Sequence, residues 1–312
     1  MLTLICPHCG EVMETFPRCG CGWSVPCEGG VYQFTRQPSA HLTGPGPHYL
    51  GYGSWGRASA TPYYYPICSA RLAELLEPEA WCVDVGTGYG QVPLQLAAAG
   101  AHTLAVDISN TALWTLRARS VAAGVKEKIF CARMDAYHLN VADGSAAVVL
   151  LNSIFPMLDR PELALQEAAR VLCPGGHMVL YGRRTVEEKS GEFQKAERML
   201  FAAFEDALTR WGWSQVWFGE TGEGEQYPYF RPPVCLSAGP PAERTERLWE
   251  RLRRLEENGF NRYQHIPRAI YRRAWAETRE QLRRMFGPRY GDLACCRVEE
   301  PVLYLYEPEA EL

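Results

Sequence analysis

The chain has 312 residues, a length that suggests about two domains. Its residues are 47% hydrophobic and 12% aromatic, which is enough for a real core and excludes a chain that is disordered by default. The formal net charge of −4 does not favour a nucleic-acid partner for the chain as a whole.

The sequence predicts neither a membrane span nor a secretory signal. The strongest apolar run, residues 146–151, is far shorter than the ~20 residues that cross a bilayer. Residues 1–6 lack both the basic start and the apolar length of a signal peptide. We therefore expect a cytoplasmic protein without a membrane partner, whose 12 cysteines are mostly reduced.

Five of the 12 cysteines fall within residues 1–36: Cys6, Cys9, Cys19, Cys21 and Cys27. Two residues separate Cys6 from Cys9, and a glycine that permits a tight turn follows Cys9, which is the pattern of a zinc knuckle. Cys19 and Cys21 can supply the second pair of ligands. Zinc binding can contribute on the order of 10–16 kcal/mol to a module too small to fold on its core alone. Two disulfides are the alternative, which a reducing compartment disfavours. Because one residue separates the second pair, Cys27 stays open as a substitute ligand.

The segment that follows, residues 22–34, reads Gly-Trp-Ser-Val-Pro-Cys-Glu-Gly-Gly-Val-Tyr-Gln-Phe. Together with the cysteines it resembles the small zinc-ribbon family that includes the activator subunit of tRNA and protein methyltransferases. A similar ribbon precedes the methyltransferase domain in the bacterial 23S rRNA guanine-N1 methyltransferases. The resemblance implies a zinc ribbon over residues 1–36, with Cys6, Cys9, Cys19 and Cys21 as the metal ligands.

Residues 37–66 are rich in turns and in aromatic side chains. They are either a linker whose rings pack on the domain surface or a lid over a ligand pocket, and the sequence leaves both interpretations open. A helix over residues 67–76 is predicted to follow, because leucine and alanine recur at helical spacing.

A β-α-β unit is predicted between residues 81 and 107. Residues 82–85 read as a buried strand, residues 86–90 are Gly-Thr-Gly-Tyr-Gly, and residues 91–99 form a helix that ends at Gly100. A second strand follows over 104–106, with Asp107 at its carboxyl end. The pattern predicts half of an open α/β sheet, with a ligand at the glycine turn.

The glycine turn resembles motif I of the class I S-adenosylmethionine-dependent methyltransferases. Its third glycine comes one residue earlier than in the nicotinamide-dinucleotide signature, and Asp84 stands two places before the first glycine. The resemblance implies that Gly86, Gly88 and Gly90 let the backbone approach the amino-acid half of S-adenosylmethionine. It also implies that Asp107 accepts hydrogen bonds from both ribose hydroxyls, as one carboxylate can. By itself the motif leaves a dinucleotide as the alternative.

Two later elements extend the resemblance. Asp135 and Ala136 follow a predicted strand over 129–132 and resemble the acidic position beside the adenine ring. The run Val-Leu-Cys-Pro-Gly-Gly at 171–176 resembles the fifth-strand entry of the ubiquinone- and menaquinone-biosynthesis type. The implied cofactor-binding set is Asp84, Gly86, Thr87, Gly88, Gly90, Asp107, Ile108, Asp135, Ala136 and Asn152. No catalytic base is predicted, although His138 and His177 lie near predicted strand ends.

These elements predict a seven-stranded, doubly wound Rossmann-like sheet with an N-terminal zinc ribbon and a helical insertion before the last strand. The sixth strand is placed at 214–218 and the last at 301–306. The predicted core is then 67–221 and 293–312. Residues 222–292 become a mainly helical substrate cap, with helices expected over 243–257 and 270–285.

The predicted cap is basic. Between residues 241 and 290 there are thirteen arginines, no lysine and seven glutamates. One interpretation is a solvated helical face of paired charges. The other is a basic surface that binds an acidic substrate, either RNA or a carboxylated or phosphorylated small molecule.

The sequence therefore predicts an S-adenosylmethionine-dependent methyltransferase that acts on a small molecule. An RNA methyltransferase that uses the ribbon and the arginines is one alternative, and a non-catalytic cofactor-binding module that docks a partner is another. Residues 152–156, Asn-Ser-Ile-Phe-Pro, differ from the Asn/Asp-Pro-Pro-aromatic motif of the enzymes that methylate amino groups of nucleic acids or protein amides. No oligomeric state is predicted.

Overall fold

The computed structural model describes residues 2–35, 62–77, 80–158, 160–189, 191–213, 225–258, 263 and 266–309. The strands within these ranges are β1 (Cys27–Glu28), β2 (Val31–Gln33), β3 (Trp81–Val85), β4 (His102–Asp107), β5 (Ile129–Arg133), β6 (Ala146–Leu150), β7 (Leu172–Lys189), β8 (Val234–Ser237), β9 (Ala242–Arg247) and β10 (Ala294–Tyr306). The α-helices are α1 (Tyr64–Leu75), α2 (Gln91–Ala98), α3 (Asn110–Ala122), α4 (Pro161–Val171), α5 (Glu192–Arg210), α6 (Leu248–Glu256) and α7 (Arg268–Phe286).

All of these strands join one sheet in the order β1-β2-β5-β4-β3-β6-β7-β10-β8, and β9 also pairs with β10. Strands β5, β4, β3, β6 and β7 are parallel, and β10 runs antiparallel between β7 and β8. The predicted open Rossmann-like α/β sheet is confirmed. Its strand count is not, because the described residues form ten strands rather than seven. Six of the ten match predicted strands, the predicted strand at 214–218 lies outside the described residues, and the other four, β1, β2, β8 and β9, come from the ribbon and from the segment before β10.

The cysteine-rich N-terminal segment is continuous with the sheet. Strand β2 pairs in parallel with β5, where Tyr32 lies opposite Ala132. Buried side chains of this segment, such as Met13 and Phe34, belong to the same apolar cluster as Val83 of β3. The segment therefore extends the edge of the sheet and shares its core.

Local sequence explains where the helices beside the site begin. Helix α3 starts after Ser109, which caps it, because its Oγ accepts a hydrogen bond from the Ala112 amide at 3.3 Å. Helix α4 starts at Pro161, with Glu162 in its first turn and Arg170 in its last, in agreement with the helix dipole. Both helices follow strands of the parallel sheet and leave the carboxyl ends of those strands at one edge.

The region before β10 differs from the expectation in two respects. Residues 234–237, inside the predicted cap, form β8 of the sheet, whereas the predicted sixth strand at 214–218 lies outside the described residues. The predicted helix over 243–257 is wrong in its first part, because 242–247 form β9 against β10 and only 248–256 are helical. The alternating Glu-Arg-Thr-Glu-Arg run is exposed and suits an edge strand as well as a helix.

Helices α5 and α7 pack on each other through aromatic side chains. The ring centroid of Phe204 lies 5.0 Å from that of Tyr271 and 6.2 Å from that of Trp275. Helix α7 agrees with the helix predicted over 270–285. Among the described residues, none of the helices combines the length and the apolar character needed to cross a bilayer.

The two longest strands, β7 and β10, extend beyond the parallel part of the sheet. Strand β7 pairs with β6 as far as Val179, and it then continues to Lys189, where β10 is its one partner strand among the described residues. Residues 181–189 therefore lie past the carboxyl end of β6, on the side of the sheet where the site is found. This extension connects the site to β9 and the helices of the insertion.

Candidate active site

The turn between β3 and α2 requires glycine at its two ends. Gly86 and Gly90 have φ angles of 72° and 83°, which side chains rarely adopt. A Cβ on Gly86 would contact the side chain of Ile154, and a Cβ on Gly90 would contact that of Leu116. Neighbouring side chains thus occupy the space beside these two glycines. The expected approach of a cofactor to the turn is restricted on the sides that face Ile154 and Leu116. Gly88, between them, has a φ of 53°.

Asp107 ties this turn to the end of β4. Its Oδ2 accepts a hydrogen bond from the Gly88 amide and its Oδ1 accepts one from the Ser109 amide, each at 2.8 Å. Burial raises the pKa of Asp107, and hydrogen bonds from the amides of Ser109, Gly88 and Ile108 oppose that rise. Each carboxylate oxygen has a second lone pair, so Asp107 can accept further donors from a ligand.

Asp84 is a second buried carboxyl beside the turn. Burial raises its pKa to about 7, the nearby Thr87 lowers it, and the charge of Asp107 adds to the rise. The Oγ1 of Thr87 is itself buried and makes no hydrogen bond of standard geometry within the described part of the chain. The Thr87 hydroxyl therefore lies beside the Asp84 carboxyl at the turn.

A third polar group lies at the carboxyl end of β6. Asn152 Oδ1 accepts a hydrogen bond from the Tyr181 amide at 2.7 Å, whereas its buried Nδ2 has no partner among the described residues. The next residue, Ser153, has a φ of 60°, which is unfavourable for a residue with a side chain. Its exposed side chain has its Oγ 3.3 Å from the Tyr65 hydroxyl.

The predicted adenine-side residues lie just after β5. Asp135 is buried, and its Oδ1 accepts a hydrogen bond from the Tyr137 amide at 3.0 Å. Ala136 follows it, packed against the central apolar cluster. Ile108, beyond Asp107, accepts a hydrogen bond at its carbonyl oxygen from Arg133 Nε at 2.9 Å. All the predicted cofactor residues thus lie at, or just after, the carboxyl ends of strands β3, β4, β5 and β6.

Of the segment 37–66, which the sequence leaves open as a linker or a lid, residues 37–61 lie outside the described residues, and the described part reaches the end of β6. Tyr65, at the start of α1, contacts Ser153, and its ring centroid lies 5.5 Å from that of Tyr181. Three consecutive tyrosines at 63–65 were the available signal, but nothing local indicates which strand end they reach. Of the two histidines noted, His177 pairs with Val148 in the middle of β6 and so lies away from the strand end.

The four predicted metal ligands form one cluster. Their Sγ atoms all lie within 4.8 Å of one another, with 3.9 Å between Cys6 and Cys21 and 3.6 Å between Cys9 and Cys19. Zn–S bonds of about 2.3 Å in a tetrahedron place sulfurs about 3.8 Å apart. The His8 amide lies 3.4 Å from Cys6 Sγ and can donate to it, as expected of a knuckle. The donor set therefore fits zinc, and within the described ranges Cys27 is not part of it.

The central part of the chain is similar to known methyltransferases. Residues 83–180 match a family model described as a methyltransferase domain. Methyltransferase pgmE of Aspergillus terreus is 35% identical over 109 residues, which cover 34% of this chain and 32% of that protein. The 27-O-demethylrifamycin SV methyltransferase of Amycolatopsis mediterranei is 31% identical over 155 residues, which cover 48% of this chain and 57% of that protein.

The chain thus spans between about a third and just over half of the length of these curated relatives. Among solved structures, the YcgJ protein from Bacillus subtilis is 14% identical, with a TM-score of 0.48, and the match covers 80% of this chain and all of that one.

Proposed function

We propose that this chain, whose residues 83–180 form a methyltransferase domain, transfers the methyl group of S-adenosylmethionine to a small-molecule acceptor. The observation that carries the proposal is Asp107, a carboxylate at a strand end that is hydrogen-bonded to the glycine turn. The buried Nδ2 of Asn152, which has no partner among the described residues, supports it, because it lies at the end of the neighbouring strand β6. A polar group of the cofactor would satisfy it.

The residues have separate parts in this proposal. Asp107 holds the ribose, Asp135 accepts from the adenine amino group, and the turn from Gly86 to Gly90 receives the amino-acid end. When bound, the cofactor supplies a methyl group activated by a positively charged sulfur. The contribution of the protein is to position the acceptor in line with that methyl group and to exclude water, which the covering Tyr65 and Ile154 favour.

A small-molecule acceptor is supported by two observations. One relative is named a 27-O-demethylrifamycin SV methyltransferase, which describes action on a small molecule. Exposed arginines of the basic segment are paired with carboxylates: Arg279 with Glu256 and Arg284 with Glu280. Paired charges favour the interpretation of a solvated face, so an RNA substrate is not proposed.

Substitution of Asp107 by alanine tests the cofactor site. We expect Asp107→Ala to lose calorimetric binding of S-adenosylhomocysteine by at least ~100-fold, because charge-assisted hydrogen bonds contribute ~1.5–3 kcal/mol each. The exposed Asp143, which pairs with Arg170 on the surface, provides the control Asp143→Ala with unchanged binding. Methyl transfer from labelled S-adenosylmethionine is measured in parallel on a panel of small acceptors. Tight binding of S-adenosylhomocysteine to Asp107→Ala would refute the assignment.

We also propose that Cys6, Cys9, Cys19 and Cys21 bind one structural zinc ion. The sulfur–sulfur distances support it, and zinc would hold together a segment that extends the sheet at β2. Purified protein should contain one zinc per chain by elemental analysis. Cys9→Ser should lower the zinc content and the thermal stability, whereas Cys27→Ser should change neither. Equal loss of zinc in both variants would mean that the ligand set is wrong.

The division of the chain also remains a proposal. Residues 1–36 would be the ribbon, 37–66 the linker or lid, and the core would include β3 to β8 and β10. The chain between β8 and β10 would be the substrate cap, because its strand β9 pairs with the part of β10 that lies beside the extension of β7.

A further inference from the structure

Helix α7 presents two stripes of charged side chains, and the stripes differ in composition. Because residues three and four apart share a face of a helix, the members of each stripe follow from their positions in α7. The mixed stripe is Arg273, Glu277, Glu280 and Arg284, and the arginine stripe is Arg268, Arg272, Ala276, Arg279 and Arg283. Every member of the arginine stripe is exposed, and at ~1.5 Å per residue the stripe is roughly 22 Å long.

The mixed stripe contains as many carboxylates as guanidinium groups. Arg284 Nε lies 2.9 Å from Glu280 Oε1, four residues earlier. Glu277 contacts Arg210 of α5 at 2.6 Å and accepts a hydrogen bond from the indole nitrogen of Trp211 at 3.1 Å. Opposite charges at this spacing stabilise a helix in water, so the mixed stripe is suited to contact with solvent.

The arginine stripe departs from that pattern. Arg272 follows Arg268 by four residues, and Arg283 follows Arg279 by four. Like charges at this spacing destabilise a helix. Arg268 and Arg272 also lie in the first two turns of α7, where the helix dipole favours carboxylates over cations, and the first turn contains no acidic residue. Carboxylates bound along the stripe would offset both effects.

Helix α6 continues this surface. Glu256 contacts Arg279 at 3.1 Å, which joins α6 to the arginine stripe. Trp249 and Arg253 precede Glu256 by seven and three residues and therefore share its face of the helix. The guanidinium of Arg253 lies 5.1 Å from the ring centroid of Trp249, and Trp249 is 41% exposed. The surface thus combines an exposed aromatic side chain with arginines.

The arginines of this surface outnumber its carboxylates. Among the described residues, Arg253, Arg272 and Arg283 make no ion pair, and Arg279 pairs with Glu256 alone. The surrounding segment, residues 241–290, has thirteen arginines and seven glutamates, whereas the whole chain has a formal charge of −4. The rest of the chain is therefore acidic and would repel a long polyanion, while an acidic patch on a folded partner would meet this surface alone.

We propose that the arginine stripe of α7, together with Trp249 and Arg253 of α6, docks an acidic surface of a second protein. Arginine and tryptophan are enriched where proteins bind each other, and the planar fork of arginine binds both oxygens of a carboxylate. Insertion into a membrane is disfavoured, because the apolar face of α7, with Tyr271 and Leu282, is buried in the cluster shared with α5. The docking surface goes beyond methyl transfer and includes none of the cofactor residues.

A fluorescein-labelled oligoglutamate peptide about as long as the stripe tests the proposal, because it presents carboxylates and no other charged group along its length. Its binding to the full chain is followed by fluorescence anisotropy. The double variant Arg272→Gln/Arg283→Gln should weaken binding by at least ~10-fold, because two guanidinium groups without ion pairs are lost. Its thermal stability should not fall, since glutamine forms helices about as well as arginine and the like-charge pairs are removed.

The matched control is Arg273→Gln/Arg284→Gln, which removes the same charge from the mixed stripe of the same helix. Arg273 lies 5.0 Å from the ring centroid of Trp211, and Arg284 pairs with Glu280. This variant should bind the peptide as wild type does. Equal losses in the two double variants would overturn the proposal, because binding would then depend on net charge alone.

An oligouridylate of the same length and vesicles that contain phosphatidylglycerol are titrated in parallel. Tighter binding of either than of the peptide, lost in Arg272→Gln/Arg283→Gln, would overturn the choice of a protein partner in favour of RNA or an anionic membrane. Absence of peptide binding to the wild-type chain would overturn the proposal as well. Binding of S-adenosylhomocysteine should be the same in all variants, so the test does not depend on the proposed function.

Discussion

Asp84 and Asp107 are two carboxyls at the ends of neighbouring strands that differ in their hydrogen bonds. Asp107 accepts from two backbone amides, which favour its ionised form. Asp84 is more fully buried, and burial raises its pKa from 3.8 to about 7. The folded protein therefore binds a proton at Asp84 more readily than the unfolded chain does. The contribution of that proton to stability is complete below pH 3.8 and is lost as the pH rises through about 7.

Asp84→Asn should stabilise the protein in neutral solution, because asparagine is buried without a charge. The gain in free energy of unfolding over wild type should grow from pH 4 to pH 7 and level off above pH 7, reaching roughly 1–4 kcal/mol. Chemical denaturation of cofactor-free protein across this range measures it, with Asp143→Asn at an exposed position as control. A gain that does not change with pH would contradict the raised pKa of Asp84.

At the scale of elements, the turn before α2 is constrained by packing as well as by backbone angles. Gly90 precedes the helix and Gly100 follows its end, and both have positive φ, 83° and 99°. Leu116 of α3 fills the position that a Cβ on Gly90 would take, whereas no atom lies within 4 Å of that position at Gly100. A side chain at Gly100 would therefore introduce backbone strain alone, whereas a side chain at Gly90 would introduce both backbone strain and a steric clash.

Gly100→Ala should destabilise the protein by about 1–2 kcal/mol through backbone strain alone. Gly90→Ala should destabilise it by a further ~1–3 kcal/mol, because the methyl group overpacks against Leu116. Thermal and urea denaturation measure both. In a double-mutant cycle, Leu116→Ala should cost less in the Gly90→Ala background than in wild type. Additive losses would mean that the contact with Leu116 is not the cause.

At the scale of the whole molecule, a cluster of buried ion pairs joins the insertion to the sheet. Arg297 of β10 contacts Glu188 of β7 at 2.9 Å, Glu246 of β9 at 3.3 Å and Glu197 of α5 at 3.6 Å. Its side chain is only 13% exposed. One guanidinium therefore contacts carboxylates of β7, α5 and β9, and Arg251 pairs with two of the same carboxylates.

Arg297→Met should destabilise the protein by about 3–5 kcal/mol, because it removes the arginine partner of Glu188 and leaves the partly buried Glu197 and Glu246 to share Arg251. The control is Arg284→Met, which removes an exposed pair with Glu280 within α7 and should cost less than about 0.5 kcal/mol. Calorimetry compares the two. Equal small losses would show that the cluster contributes little to holding the insertion in place.

The sequence by itself determined the features that depend on near neighbours in the chain. The glycine turn with Asp84 before it, the strand that ends at Asp107 and the paired cysteines could be recognised because their chemistry lies within a few residues. The charge run at 242–247 was misassigned because alternating charges fit an exposed helix or an edge strand equally well until β10 is present to pair with.

Only the tertiary structure decided which distant residues meet. Tyr65 and Ser153 are 88 positions apart, and Tyr63 and Glu299 are 236 apart. Nor does any local pattern indicate that β2 joins β5 or that β8 lies inside the predicted cap. These contacts depend on the whole sheet being assembled, because side chains from separate segments become neighbours only when their strands are ordered side by side.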